Sequence, residues 1–159
     1  MSKVIVHSLF SDFDISLFKS GKHYRLYEKF GSHITTIGGI EGTYFAVWAP
    51  SAKEVSVVGD FNLWNSETHQ LNVRWDSSGI WEGFIPFVKK GNLYKYKIKG
   101  ANNNIVTEKA DPYARRNEHP PKTASIVWED NYAWKDKKWM KNRKKNNALD
   151  APFSVYEVH

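Results

Sequence analysis

The sequence predicts an all-β chain: an antiparallel β-sandwich of about 90 residues behind a short N-terminal helical arm. Three observations predict it. The hydrophobic period changes from helical to strand-like near Ile40. Seven short strand candidates then follow, divided by Pro, Gly and Asn turn signals at sandwich-like spacing. One of them, Leu93 to Lys99, alternates cleanly, with Tyr94, Tyr96 and Ile98 against Lys95, Lys97 and Lys99, the signature of a sheet with one buried and one wet face.

In chain order, Ser11 to Ser20 ("SDFDISLFKS") reads as a short helix. Ser11 and Asp14 form a capping-box pattern, Phe13 and Leu17 sit at i and i+4, and Gly21 follows as a stop. "YRLYEKF", Tyr24 to Phe30, puts Tyr24, Tyr27 and Phe30 on one side and predicts a further helical turn ended by Gly31. The strand candidates are "TYFAVWA" (43–49), "EVSVVG" (54–59), "LNVRW" (71–75), "IWEGFI" (80–85), "LYKYKIK" (93–99), "IVTEK" (105–109) and "ASIVW" (124–128). Strand number and spacing are immunoglobulin-like. The segment 43–49 is apolar on both faces, so Trp48 is read as core or as packed on the arm, and Trp81 as core; Trp75 and Trp128 are not placed. The resulting division is 1–34 arm, 35–132 sandwich, 133–149 basic linker and 150–159 the opening of a further strand, with Phe153, Val155 and Val158 as its buried positions.

Composition narrows the function classes. There is no cysteine, which excludes disulfides and thiolate metal sites and fits a cytoplasmic setting. No apolar run approaches the ~18 residues of a membrane span, and the N-terminus does not resemble a signal peptide; no membrane partner is expected. The formal charge of +6 is confined to Lys135–Lys145, where seven basic residues meet one acid, while the remainder holds 16 basic and 16 acidic residues. A neutral body with one basic block reads as a solvated helix or linker, not as a nucleic-acid-binding surface.

No catalytic or cofactor signature emerges. There is no phosphate-binding glycine loop and no nucleophile elbow. The six histidines lack metal-ligand spacing, and Asp60, Glu67 and Asp76 read as turn or rim carboxylates. No cofactor is expected. What stands out is "VVGDFNLWN", Val57 to Asn65, in which a strand breaks at Gly59 and a tryptophan flanked by amides follows on the turn. A pyranose has an apolar C–H face and a hydroxyl rim. An indole suits the first, and amides or an ammonium suit the second. Trp64 is therefore a candidate sugar platform, with Asn62, Asn65 and Lys95 as candidate hydroxyl partners. The alternative is a loop tryptophan folded back over the open end of the sandwich.

These residues carry a resemblance. "FAVWAPSAKEVSVVGDFNLWN" closely resembles the carbohydrate-binding module of the α-glucan branching enzyme family. "GIWEGFIP" (79–86), "YKYKI" (94–98), "KADPYA" (109–114), "PPKTAS" (120–125) and "DAPFSVYEVH" (150–159) continue it in the family's order, and the arm 14–33 looks like the region preceding the module in bacterial members. The resemblance implies an α-1,4/α-1,6 glucan partner. It also implies a catalytic (β/α)₈ barrel in the same polypeptide, opening at 150–159, which cuts an α-1,4 glucan and transfers the chain to form an α-1,6 branch in glycogen biosynthesis. None of the catalytic residues falls in these 159 positions, so this chain is expected to be non-catalytic and to be the front of a longer protein. By resemblance to related glycogen-binding modules, Trp64 stacks on glucose and Lys95 lies beside it. A second stacking tryptophan of those modules has no counterpart in "GANNNIV", 100–106, where Asn102 and Asn103 are the candidate contacts. Alternatives are a stand-alone glycogen-binding scaffold or the front of a debranching-type α-glucan hydrolase.

Overall fold

A computed structural model describes residues 3–102 and 105–158. The chain forms two compact units, one extending to Glu129 and one from Asp130 onward.

The first unit opens with helix α1, Asp12–Lys19. Its start follows the sequence signal: the Ser11 side chain accepts from the Asp14 N–H, and Asp14 Oδ2 accepts from the Ser11 N–H at 2.8 Å. Two of the unpaired N–H groups of the helix start are thereby satisfied. A 3₁₀ turn at Leu26–Glu28 follows. Strands β1 (Gly31–Ile37), β2 (Ile40–Trp48), β3 (Ala52–Gly59), β4 (Asn72–Val73), β5 (Ile80–Pro86), β6 (Leu93–Gly100), β7 (Val106–Lys109), β8 (Arg116–Asn117) and β9 (Ser125–Ile126) complete it. Every pairing is antiparallel. They make two sheets, ordered β1-β2-β5-β4 and β3-β6-β9-β8, with β7 also on β6.

Between the sheets lie Phe45, Val47, Val55, Val57, Trp81, Ile85, Tyr94 and Tyr96. The opposite face of the four-stranded sheet carries Tyr44, Ala46, Ile80 and Phe84, covered by Phe10, Ile15 and Phe30 of the arm. The sheet is buried on both sides, which is why β5 is buried along its whole length and why 43–49 shows no polar face. The arm is also tied by backbone: Ile5 and Phe84 exchange hydrogen bonds of 2.8 and 2.9 Å. Trp81 is core, as read. Trp48 packs its ring edge-on against Phe18 of the arm and donates Nε1 to Ser78 O.

Some boundaries depart from the expectation. Strand structure begins at Gly31, nine residues before Ile40 and inside the segment assigned to the arm. Gly31 stops the helical turn and starts the strand at once. The strand's Thr and His residues, at the sheet edge, gave no apolar alternation. The two-residue β8 was not foreseen.

In the second unit the basic block forms α2, Lys137–Asn146, with no buried residue, a solvated helix as its charge required. Residues 152–158 take no regular secondary structure, and Phe153, Val155 and Val158 are exposed.

Candidate functional site

Strand β3 ends at Gly59 because the chain must pass close to β6. A Cβ at residue 59 would meet the Leu93 carbonyl oxygen at 2.1 Å and the Phe61 ring at 2.5 Å. A 3₁₀ turn, Asp60–Asn62, follows. Leu63 (φ 54°) and Trp64 (φ 59°) then both adopt the left-handed region. Two successive non-glycine residues there cost on the order of 1–2 kcal/mol each. The loop holds them by hydrogen bonds. Trp64 N–H donates to Gly59 O at 2.9 Å and Asn65 N–H to Asn62 O at 3.1 Å.

Asn62 is the hub of this loop. It is 2% exposed. Its Oδ1 accepts from Gly59 N–H at 2.9 Å, and its Nδ2 faces Val57 O at 3.0 Å, His69 Nδ1 at 2.9 Å, Asn65 O at 3.2 Å and Thr68 Oγ1 at 3.3 Å. Phe61 packs edge-on against His69, with centroids 5.6 Å apart. Asp60 Oδ1 accepts from Asn92 Nδ2 at 3.0 Å. The two amides that flank Trp64 in sequence are thus divided. Phe61 and Asn62 face the protein. Trp64 is partly exposed and Asn65 exposed.

Lys95 lies opposite Val58 in the β3–β6 register, with Ser56 opposite Lys97 and Glu54 opposite Lys99. Tyr94 and Tyr96 point into the core, so alternation puts Lys95, Lys97 and Lys99 on the outer face. On β7, Glu108 is the partner of Lys97. Lys99 Nζ pairs with Glu54 Oε1 at 2.9 Å. A cleft of about 450 Å³ runs over this face, lined by Ser56, Ser66, Glu67, Gln70, Lys97 and Lys99 among others. The loop that carries Trp64 therefore folds back along the same face. Hydroxyl, amide, ammonium and carboxylate groups are what a sugar's hydroxyl rim requires.

The strand beneath is fixed from inside. Tyr94 and Tyr96 hydroxyls donate to Asp111 Oδ2 at 2.6 and 3.3 Å, and Tyr113 N–H donates to Asp111 Oδ1 at 2.8 Å. Burial pushes the Asp111 carboxyl above its ordinary range, against the pull of these three donors.

The expected site residues divide accordingly. Lys95 pairs with Val58, next to Gly59, and Gly59 O accepts from Trp64 N–H, so the backbone of the loop departs from β3 at the Lys95 end of the pairing. Asn65 Oδ1 accepts from Glu67 N–H at 2.9 Å. Asn62 must be withdrawn as a ligand contact, because its amide is buried and spent on the loop. Asn102 is exposed in the turn after β6. From Lys95 to Gly100 the strand rises about 17 Å, so Asn102 sits at the far end and cannot reach the same sugar ring as Lys95. Asn103 lies outside the described residues. Ser56, Gln70 and Lys97 were not singled out from sequence. The Lys95-Lys97-Lys99 alternation signalled Lys97, but Gln70 joins the face through an isolated bridge to Ser56 that no local pattern announces. Among the described residues no group of three or more His, Asp or Glu could hold a metal ion, and no helix is long and apolar enough to cross a membrane.

The chain is similar to known proteins over almost all of its length. The family described as carbohydrate-binding module 48 (isoamylase N-terminal domain) matches residues 29–114. The 1,4-alpha-glucan branching enzyme GlgB of Thermosynechococcus vestitus is 52% identical over 150 residues, covering 94% of this chain and 19% of that protein. The enzymes of the same name from Nostoc sp. and Aquifex aeolicus are 51% and 49% identical over 94% and 96% of this chain, which match 19% and 24% of those proteins. The chain thus spans about a fifth of the length of these relatives.

Proposed function

This chain belongs to the carbohydrate-binding module 48 family, and from that premise we propose that it is the non-catalytic α-glucan-binding part of a 1,4-α-glucan branching enzyme. In this reading the outer face of the five-stranded sheet takes the glucan. One glucose ring lies on the Trp64 indole, with Lys95 and Asn65 beside it. The chain continues along the cleft past Lys97 and Gln70 toward the Asn102 turn. Residues 133–149 act as a linker, and 150–159 lead into a catalytic barrel that carries out α-1,4 cleavage and α-1,6 transfer, in the cytoplasm.

The observation that carries the reading is the loop itself. Two left-handed residues and a buried amide hub hold one tryptophan partly exposed, in a loop whose following residues Ser66 and Glu67 line a polar cleft with Lys97 and Lys99, while the loop's other aromatic is turned inward. The identity with branching enzymes, named for their α-glucan chemistry, supports the ligand class.

With a single platform, affinity should be weak, a Kd of roughly 0.1–1 mM. Losing a central aromatic anchor is worth about 2 kcal/mol, near thirtyfold. Affinity electrophoresis in glycogen gels tests this. The wild-type chain is retarded and Trp64→Ala is not, at equal melting temperature. Equal retardation of both proteins places the platform elsewhere.

A further inference from the structure

We propose that Trp75 is the centre of a second α-glucan-binding site, on the arm side of the module and separate from the Trp64–Lys95 face. Trp75 follows β4 and is 83% exposed. It lines two clefts at once. One, of about 640 Å³, is otherwise bounded by Asp12, Ser16 and Lys19 of α1, by its C-cap Ser20, and by Asp76. The other, of about 280 Å³, includes His7 and Asn72.

The residues on either side of Trp75 are locked in place. The Arg74 side chain is 7% exposed. Its Nε donates to Asp76 Oδ2 at 2.9 Å, and its Nη1 donates to Glu82 Oε1 at 2.7 Å and to Ser8 Oγ at 2.5 Å. Arg74 N–H donates to Ile80 O at 2.9 Å. Asp76 accepts from Ser78 N–H at 3.0 Å on its carboxylate and from Lys19 Nζ at 2.5 Å on its backbone carbonyl. Burial disfavours the charged Asp76, but the donors from Ser78 and Arg74 outweigh it and hold the carboxyl below its ordinary range. A buried charged network thus clamps the backbone around an indole that is left in water. Such an indole offers a large apolar face at little further entropic cost.

The surroundings select the ligand. Trp75 and Ile15 give apolar wall, while hydroxyl, carboxylate and ammonium groups of α1 stand around it. That mixture matches the C–H face and hydroxyl rim of a pyranose. The choice of α-glucan among carbohydrates rests on the function proposed above; the location does not. The two platforms sit on different outer faces, one on the five-stranded sheet and one beside the arm that covers the four-stranded sheet. Two separate sites would let the module hold two outer chains of a branched polymer and gain avidity.

The test is an amide and indole NMR titration of the 159-residue chain with maltoheptaose. Two groups of signals should shift, each with its own saturation curve: one around Trp64 and Lys95, the other comprising the Trp75 indole N–H and the amides of Ser16 and Ser20. Trp75→Ala should abolish the second group and leave the first group's Kd within twofold. Trp64→Ala should do the reverse. If the second group moves when the first does not, the Trp75 site stands and the Trp64 reading fails. Silence of the Trp75 indole and the α1 amides at concentrations that saturate the first group overturns the proposal. So does Trp75→Ala leaving the α1 shifts in place, or altering only self-association in sedimentation. Since Trp75 is exposed, the variant should melt with the wild type, which excludes misfolding as the cause of lost shifts.

Discussion

Replacing Asn62 with alanine separates two roles that the sequence could not tell apart. As a sugar contact, the residue would be dispensable for folding. As the loop hub, it is needed for stability. Asn62 makes one accepted bond, from Gly59 N–H, and its two Nδ2 hydrogens serve chiefly His69 Nδ1 and Val57 O. Three buried bonds at about 1 kcal/mol each give a loss of ~3 kcal/mol, with the stranded Gly59 N–H able to add ~1 more. For a domain of this size, each kcal/mol lowers Tm by roughly 2–8 °C, so Asn62→Ala should melt on the order of 10 °C below wild type. Differential scanning calorimetry, with urea melts to fix the free energy, reads this directly. Glycogen retardation should weaken too, because Trp64 loses its seat. A variant that melts within 2 °C of wild type yet no longer binds glycogen would refute the hub and restore Asn62 as a ligand contact.

Three further outcomes follow from the same structure. Gly59→Ala should cost about 2–3 kcal/mol or more through overpacking alone, since its added Cβ meets the Leu93 carbonyl oxygen at 2.1 Å; chemical denaturation checks it. The Asp14 carboxyl is opposed by burial but held well below its ordinary 3.8 by Ser11, His23 and Lys29. A depressed folded pKa gives stability that is present above the unfolded value and lost as pH falls through the folded one. Asp14→Ala should therefore cost about 1–2 kcal/mol at pH 7, and the gap to wild type should close as pH drops below about 4; urea melts at pH 7, 5 and 3 that show a constant gap would contradict it. The chain incubated with amylose should yield neither α-1,6 linkages nor new reducing ends above a protein-free control.

Much of the sandwich was legible because its signals are local. The alternation of Leu93–Lys99 identified β6 and its wet face, Ser11 and Asp14 announced α1, and the turn residues separated the strands. What was not legible depends on contacts distant in sequence. Gly31–Ile37 lacked a clear apolar alternation and drew no strand assignment. Asn62 and Asn65 are the same residue type three positions apart. Only the fold shows that one is buried against His69 and Val57 while the other is exposed. Asn102 was a candidate for the same glucan as Lys95, but the strand from Lys95 to Gly100 alone rises about 17 Å, which puts the Asn102 turn at the far end. Trp75 carried no sequence signal, because its isolation in water depends on Arg74 reaching Glu82 and Asp76.

The central claim is that the Trp64 indole carries a glucose ring. Intermolecular NOEs between the Trp64 ring protons and the sugar C–H protons of bound maltoheptaose test it most directly. Such NOEs are expected at Trp64, with further contacts at the Lys95 side chain and none at the inward-facing Phe61. A sample saturated with maltoheptaose that shows no NOE to the Trp64 ring, with the 60–68 loop still folded, would contradict it.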